Sequence, residues 1–148
     1  MNGRRMGLDP GERRIGVALS DELGLLATPL CILERRSWAI DVAALADLIR
    51  HHEVVEVVVG HPKTLRGEIG PQARRAERLA DQIRRAIDVP VRLWDERYST
   101  LEATERLARS GKRAGGRRGT PIRVDSMAAA VILQHRLDAE RSFESPSH

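Results

Sequence analysis

Six residues near the middle of the chain limit its fold more than any other stretch. Val54-Val55-Glu56-Val57-Val58-Val59 is a β-branched run broken by one glutamate and closed by Gly60. Branching at Cβ stiffens χ1 and favours the pleated chain over the helix. Adjacent strand residues face opposite ways, so a run that is apolar at successive positions needs cover on both faces. That is the habit of a strand inside a parallel sheet flanked by helices.

The neighbouring segments supply those helices. Upstream, Trp38, Val42, Leu45 and Ile49 recur at helical spacing behind Ser37, an N-cap residue, and predict a helix to about His51. Downstream, Pro71 opens a second helix with Ala73, Ala76, Leu79, Ala80, Ile83 and Ile87 on its buried side. Its other side carries Arg74, Arg75, Arg78, Arg84 and Arg85, interleaved with Glu77 and Asp81, and reads as ordinary exposed surface. Pro90 restarts the chain into a strand over Val91–Asp95.

Ahead of these lies a hairpin signal. Arg4–Leu8 is a short strand, Asp9-Pro10-Gly11-Glu12 a turn, and Ile15–Ser20 the returning strand. Proline presets φ and glycine permits φ > 0, which suits a tight reversal. A third strand runs from about Leu25 to Leu33, and Pro29 within it points to a sheet edge, where a missing N–H costs least. Towards the end, Ser99-x-x-Glu102 is a capping box for a third helix reaching Gly111. Residues 110–120 form a glycine-rich basic loop, and Thr120-Pro121 caps a last helix over about Ile122 to Ala139. The order is three strands, helix, strand, helix, strand, helix, helix. It predicts an α/β domain over residues 1–140, a mixed five-stranded sheet with strands 1–3 antiparallel and the rest parallel, helices on both faces, and a disordered tail over 141–148.

Bulk properties narrow the function. At 148 residues the chain can bury a core without disulfide or zinc, and Cys31, the lone cysteine, reads as a small buried hydrophobe. No apolar signal core follows Met1-Asn2-Gly3-Arg4-Arg5, and no run approaches the ~18 apolar residues of a membrane span. The expectation is a cytoplasmic protein without membrane contact. Net charge is +4, and Lys63 and Lys112 are the only lysines among 25 basic residues. Arginine forks match phosphate, so nucleic acid is a candidate partner, although genomic composition can also enrich arginine. Aromatic content of 3% excludes a broad base-stacking platform, which leaves Tyr98 as one candidate stacker and Trp38 and Trp94 as core.

Three carboxylates stand where the chain changes direction: Asp9 after the first strand, Glu96 after the last, and Asp125 in the first turn of the last helix. Strand ends gather on one edge of an α/β sheet, where such folds place their sites. Asp95 and Glu96 are adjacent and face opposite ways, so Glu96 is chosen for the site and Asp95 for a structural hydrogen bond or as a partner to Arg97. Ala128 and Ala129 share a helix face with Asp125 and would let that helix approach the sheet. An aspartate in a first turn also favours the helix dipole without any site, so Asp125 has two readings here. Clustered acids suit Mg²⁺ or Mn²⁺, and a pair of such ions ~3.5–4 Å apart serves phosphodiester hydrolysis. Lys63, Arg66, Lys112, Arg113, Arg117 and Arg118 are candidates for phosphate contact. His61, after a strand end, is a further candidate, while His51 and His52 suit a helix C-terminus.

These residues also carry a resemblance. Gly7-Leu8-Asp9-Pro10-Gly11-Glu12-Arg13-Arg14-Ile15-Gly16-Val17-Ala18 resembles the opening of the YqgF-type family of pre-16S ribosomal RNA nucleases, relatives of the RuvC Holliday-junction resolvases. Val57–Pro62, Asp95–Thr100 and Val124–Gln134 match further motifs in order, so the likeness covers residues 4–138. It implies a ribonuclease H-like fold and an ester-bond hydrolase that matures the 5′ end of 16S rRNA. It implies catalytic and metal-binding roles for Asp9, Glu96 and Asp125, and supporting or substrate-binding roles for Arg97, Ser99 and Thr100. Precursor rRNA and ribosomal particles are the implied partners, with the chain a monomer or homodimer. The sequence departs from the pattern at Glu12, at His61 and at Thr64-Leu65-Arg66, and Ala128 stands where resolvases carry a fourth acid. Glu12 is a candidate substitute for that acid. Cleavage of DNA junctions and RNA binding without catalysis are the alternatives; nucleotide binding of the actin kind would need a second large domain.

Overall fold

The computed structural model describes residues 3–62, 70–95 and 124–144, without the side chains of 124–125 and 142–144. In chain order the elements are β1 (Arg4–Pro10), β2 (Arg14–Ser20), β3 (Ala27–Glu34), α1 (Trp38–His51), β4 (Val54–His61), α2 (Pro71–Ala86), β5 (Val91–Asp95) and α3 (Val124–Glu144). The five strands form one sheet in the order β3-β2-β1-β4-β5. β1 pairs antiparallel with β2, and β2 with β3, whereas β4 pairs parallel with both β1 and β5. The mixed α/β sheet expected from the sequence is the one observed, and the valine run lies inside it with a parallel neighbour on each side.

Alternation along the strands divides the core in two. Met6, Leu8, Val57, Val59 and Val91 point to one face, where Val42, Leu45 and Ile49 of α1 and Leu79 and Ile83 of α2 cover them. Ala18 and Val58 face the other way, against Ala129, Ala130, Leu133 and Leu137 of α3. Leu133 and Leu137 are fully buried, a contribution of roughly 1.5–3 kcal/mol each. Gln134 is also fully buried; its Oε1 accepts from Ala27 N at 2.9 Å and its Nε2 donates to Leu25 O at 3.0 Å. That side chain ties α3 to the approach of β3.

Several boundaries differ from expectation. β1 continues through Asp9 to Pro10, so the turn contains only Gly11–Arg13. Gly11 N donates to Arg14 O at 2.8 Å, which turns the Pro10 nitrogen away from β2. On that side pairing with β4 has already ended at Leu8–Val59, so the missing N–H breaks no ladder bond. Pro29 does lie on an edge strand, at a register shift where Val17 opposes Cys31 and Ala18 opposes Pro29. Ser37 caps α1 as expected, accepting from Ile40 N at 3.1 Å. Cys31 is only half-buried, and α3 passes Ala139 to reach Glu144, so residues 141–144, expected in the tail, are helical. The expected helix over 99–111 and the loop over 110–120 lie outside the described residues.

Candidate active site

Asp9 stands at the end of β1 where the parallel strands also finish. It pairs with Gly16 of β2, next to Leu8 opposite Val59 of β4. Met6 and Leu8 enter the α1–α2 core, so alternation puts Asp9 on the α3 side of the sheet, where it is partly exposed.

The course of α3 brings its first turn to the same place. Arg5, early in β1, bonds Glu140, late in α3. Gly7 lies against Ala129 and Leu133: a Cβ built on Gly7 would stand 2.8 Å from Ala129 O and 2.7 Å from Leu133 Cβ. Helix and strand therefore run in opposite directions, and the start of α3, with the backbone of Asp125, arrives at the Asp9 end. The sequence credited Ala128 and Ala129 with this approach. Ala129 makes it together with Gly7, while Ala128 is only half-buried.

The last strand places Asp95 as alternation requires. Val91 and Leu93 pack into the α1–α2 core and Trp94 packs on the α3 side. Asp95 therefore follows Leu93 to the face opposite Asp9, which supports leaving it out of the cluster. The side chain of Asp125 and all of Lys63, Glu96, Arg97, Ser99, Thr100, Arg113, Arg117 and Arg118 lie outside the described residues. Among the described residues no three His, Cys, Asp or Glu side chains converge as a metal site. Asp9 itself fits a hard cation: it is a carboxylate with solvent access at the end of a rigid strand.

Two expectations change. His61 is buried on the α1–α2 face, and its Nε2 meets Glu77 Oε2 at 2.7 Å. It binds β4 to α2 and faces away from Asp9. Glu12, the candidate substitute acid, is exposed at the hairpin tip beyond the end of β1.

The structure adds a buried ionic cluster at the far end of the α3 face. Glu56 receives Arg92 Nε at 2.7 Å, and Arg5 and Arg136 lie at 3.8 and 3.6 Å. Arg5 also forks onto both oxygens of Glu140. Burial pushes the Glu140 carboxyl up, but the Arg5 hydrogen bond and the charges of Arg5 and Arg136 outweigh it and hold the group below its ordinary value. Nearby, Trp94 Nε1 donates to His135 Nδ1 at 2.8 Å, and burial lowers the His135 pKa against the opposing charge of Asp138. Glu56 inside the valine run was the one local sign of this cluster.

Residues 3–139 match the family model described as RuvX: Holliday junction resolvase. The chain belongs to the RuvX family. A relative from Syntrophus aciditrophicus, named "Putative pre-16S rRNA nuclease", is 46% identical over 144 residues, covering 97% of this chain and 94% of its own. Another of the same name, from Myxococcus xanthus, is 42% identical over 145 residues and covers 98% and 94%. Among solved structures, RuvC of Thermus thermophilus superposes with a TM-score of 0.66 at 16% identity, over 94% of this chain and 96% of that one. The same protein in complex with a Holliday junction substrate gives 0.64 at 17% identity, over 93% and 95%. At such identities the likeness is one of fold. It agrees with the ribonuclease H-like sheet that the sequence resemblance implied.

Proposed function

We propose that this chain is a metal-dependent endonuclease that hydrolyses phosphodiester bonds of precursor 16S rRNA, in the cytoplasm and on ribosomal particles or their RNA. Asp9, Glu96 and Asp125 are its catalytic and metal-binding carboxylates. The observation that carries this reading is the Gly7–Ala129 contact, which brings the start of α3 to the Asp9 end of the sheet in a RuvX-family chain. The names of the relatives supply the substrate class.

Mg²⁺ or Mn²⁺, held by these three acids, would activate water and offset charge on the leaving oxygen. The protein's own contribution is position. β1 is paired with both β2 and β4 as far as Leu8, Asp9 is held by its pairing with Gly16 of β2, and the Gly7 contact fixes the level at which α3 begins. Preset geometry of this kind replaces solvent reorganisation during reaction. Lys63, Arg97, Ser99, Thr100, Arg113, Arg117 and Arg118 are proposed to hold the phosphates that flank the cut. No helix of the described residues is long and apolar enough to cross a membrane.

A second reading, cleavage of DNA junctions, is favoured by the family description and the RuvC-like fold. One experiment serves both. Purified protein is titrated with Mg²⁺ or Mn²⁺ on RNA carrying a 5′ extension and on a four-way DNA junction, with chelator as control. Metal-dependent cutting of the RNA, lost in Asp9→Asn, supports the first reading; cutting of the junction alone supports the second. Cutting by Asp9→Asn at the wild-type rate overturns the site.

A further inference from the structure

We propose that Arg78, Arg36 and Arg13 form a second contact for the phosphodiester backbone, on the α1–α2 side of the hairpin that carries Asp9, with Trp38 and Arg35 as the scaffold that holds Arg78. The proposal rests on the nucleic-acid reading of the site and extends it to a surface whose α2 arginines the sequence assigned to ordinary solvation.

Trp38, expected in the core, packs against it but is only half-buried, at the first position of α1. The guanidinium carbon of Arg35 lies 4.4 Å from its ring centroid and that of Arg78, from α2, lies at 4.5 Å. A guanidinium over an indole loses rotamer freedom and keeps its N–H edges available for in-plane hydrogen bonds. The two arginines differ in what else they do. Arg35 is committed to the fold: its Nη1 donates to Gly11 O at 3.2 Å and its Nε lies 3.6 Å from Asp41 Oδ2. Arg78 is exposed and, among the described residues, makes no hydrogen bond or ion pair; its contact is the Trp38 ring. An exposed arginine held in place without a carboxylate partner is prepared for an anion from outside.

Position ties this group to the site. Arg35 N donates to Arg13 O at 2.8 Å, so the β3–α1 connection is sewn to the hairpin tip. Asp9 precedes Gly11 by two residues, about 7 Å of extended chain. With nucleotides spaced at about 3.4 Å along a helical strand, the arginines begin a few nucleotides from the aspartate. Arg13 and Arg36 add exposed charge at the same end. The nearby acids include Glu12, Glu34 and Asp41, and Glu77 and Asp81 beside Arg78 on α2; Asp41 is buried and faces Arg35, Glu34 lies 3.9 Å from Arg14, Glu77 meets His61 and Asp81 pairs with Arg85. Contacts of this kind hold backbone and read no sequence.

The test measures binding of labelled RNA and of DNA of the same sequence across a salt series, with chelator present to prevent cutting. Arg78→Gln and Arg36→Gln should each weaken binding several-fold, and the double variant should lower the slope of log K against log salt by about two. Arg78→Lys should recover part of the affinity, since it keeps the charge and loses the planar stack. Arg85→Gln, whose partner Asp81 lies at 3.0 Å on the outer face of α2, should bind as wild type. Circular dichroism melts confirm folding of each variant. A larger loss on RNA than on DNA makes the surface an RNA contact; equal losses make it a general backbone contact. If wild type binds and cuts while the Arg78 and Arg36 variants keep its affinity and slope, the surface is wrong and the nuclease reading stands. If wild type binds neither nucleic acid, the nuclease reading fails and takes this surface with it.

Discussion

Gly7 of β1 and Ala129 of α3 meet so closely that a methyl group on the glycine would stand 2.8 Å from the alanine carbonyl oxygen. The opposing atom is backbone, so it cannot rotate aside. Gly7→Ala should push α3 off the sheet and cost about 1–3 kcal/mol, as overpacked cores do. Because α3 also carries Asp125, cleavage should fall together with stability. Urea denaturation and single-turnover cleavage on the same sample check both. A variant with wild-type stability would mean that α3 can sit higher without cost, and would remove this contact as the positioning device.

The adjacent acids of the last strand offer a sharper comparison. Asp95 follows Val91 and Leu93 to the α1–α2 side, opposite Asp9. Asp95→Asn should therefore keep most activity. Glu96→Gln should lose at least the ~10–100-fold typical of a change that merely perturbs a metal ligand. Initial cleavage rates at saturating Mn²⁺ distinguish the two. The reverse ranking would assign the carboxylates wrongly.

How much of this was legible beforehand depends on the range of each signal. The valine run, the Ser37 cap and the edge proline Pro29 act through near neighbours, and each fell where the sequence put it. His61 could not be resolved that way. Its position after a strand was plain, but its direction depended on the register that brings β4 against Glu77. The same holds for the pair of Arg5 and Glu140, which meet from opposite ends of the chain. Trp38 does pack against the core, as its type suggested, but only the packing of α2 against α1 shows it also beneath two arginines. As for the site, alternation put Asp95 on the face away from Asp9, while the joining of α3 to β1 needed the three-dimensional contact at Gly7.

The buried cluster at the other end of that face predicts a pH dependence. Glu140 is held below its ordinary value of 4.5, so its ion pairs contribute stability that is present above that value. As pH falls through the lower folded-state value the carboxylate takes a proton and the contribution is lost. Wild type should therefore lose stability on the acid side of 4.5, and Glu140→Gln should show a flatter acid limb. At neutral pH the variant should be less stable by about 3 kcal/mol, because Arg5 stays buried with a weakened set of partners. Thermal melts between about pH 3 and about pH 7, a range that spans the carboxylate titration, measure both effects. An unchanged acid limb would show that Glu140 is no better paired in the folded chain than in the unfolded one.

The glycine–arginine segment gives a prediction that is independent of the helix arginines. Arg117 and Arg118 are proposed phosphate contacts, and each contact made to a backbone releases about one counterion. Replacing both with alanine should weaken RNA binding and lower the salt slope by about two, with no change in melting temperature. Combined with Arg78→Gln and Arg36→Gln, the losses should add, since separate contacts along one strand neutralise separate phosphates. Sub-additive slopes would mean that both groups compete for the same phosphates, which would place the loop and the Trp38 surface on one side of the cut and not on two.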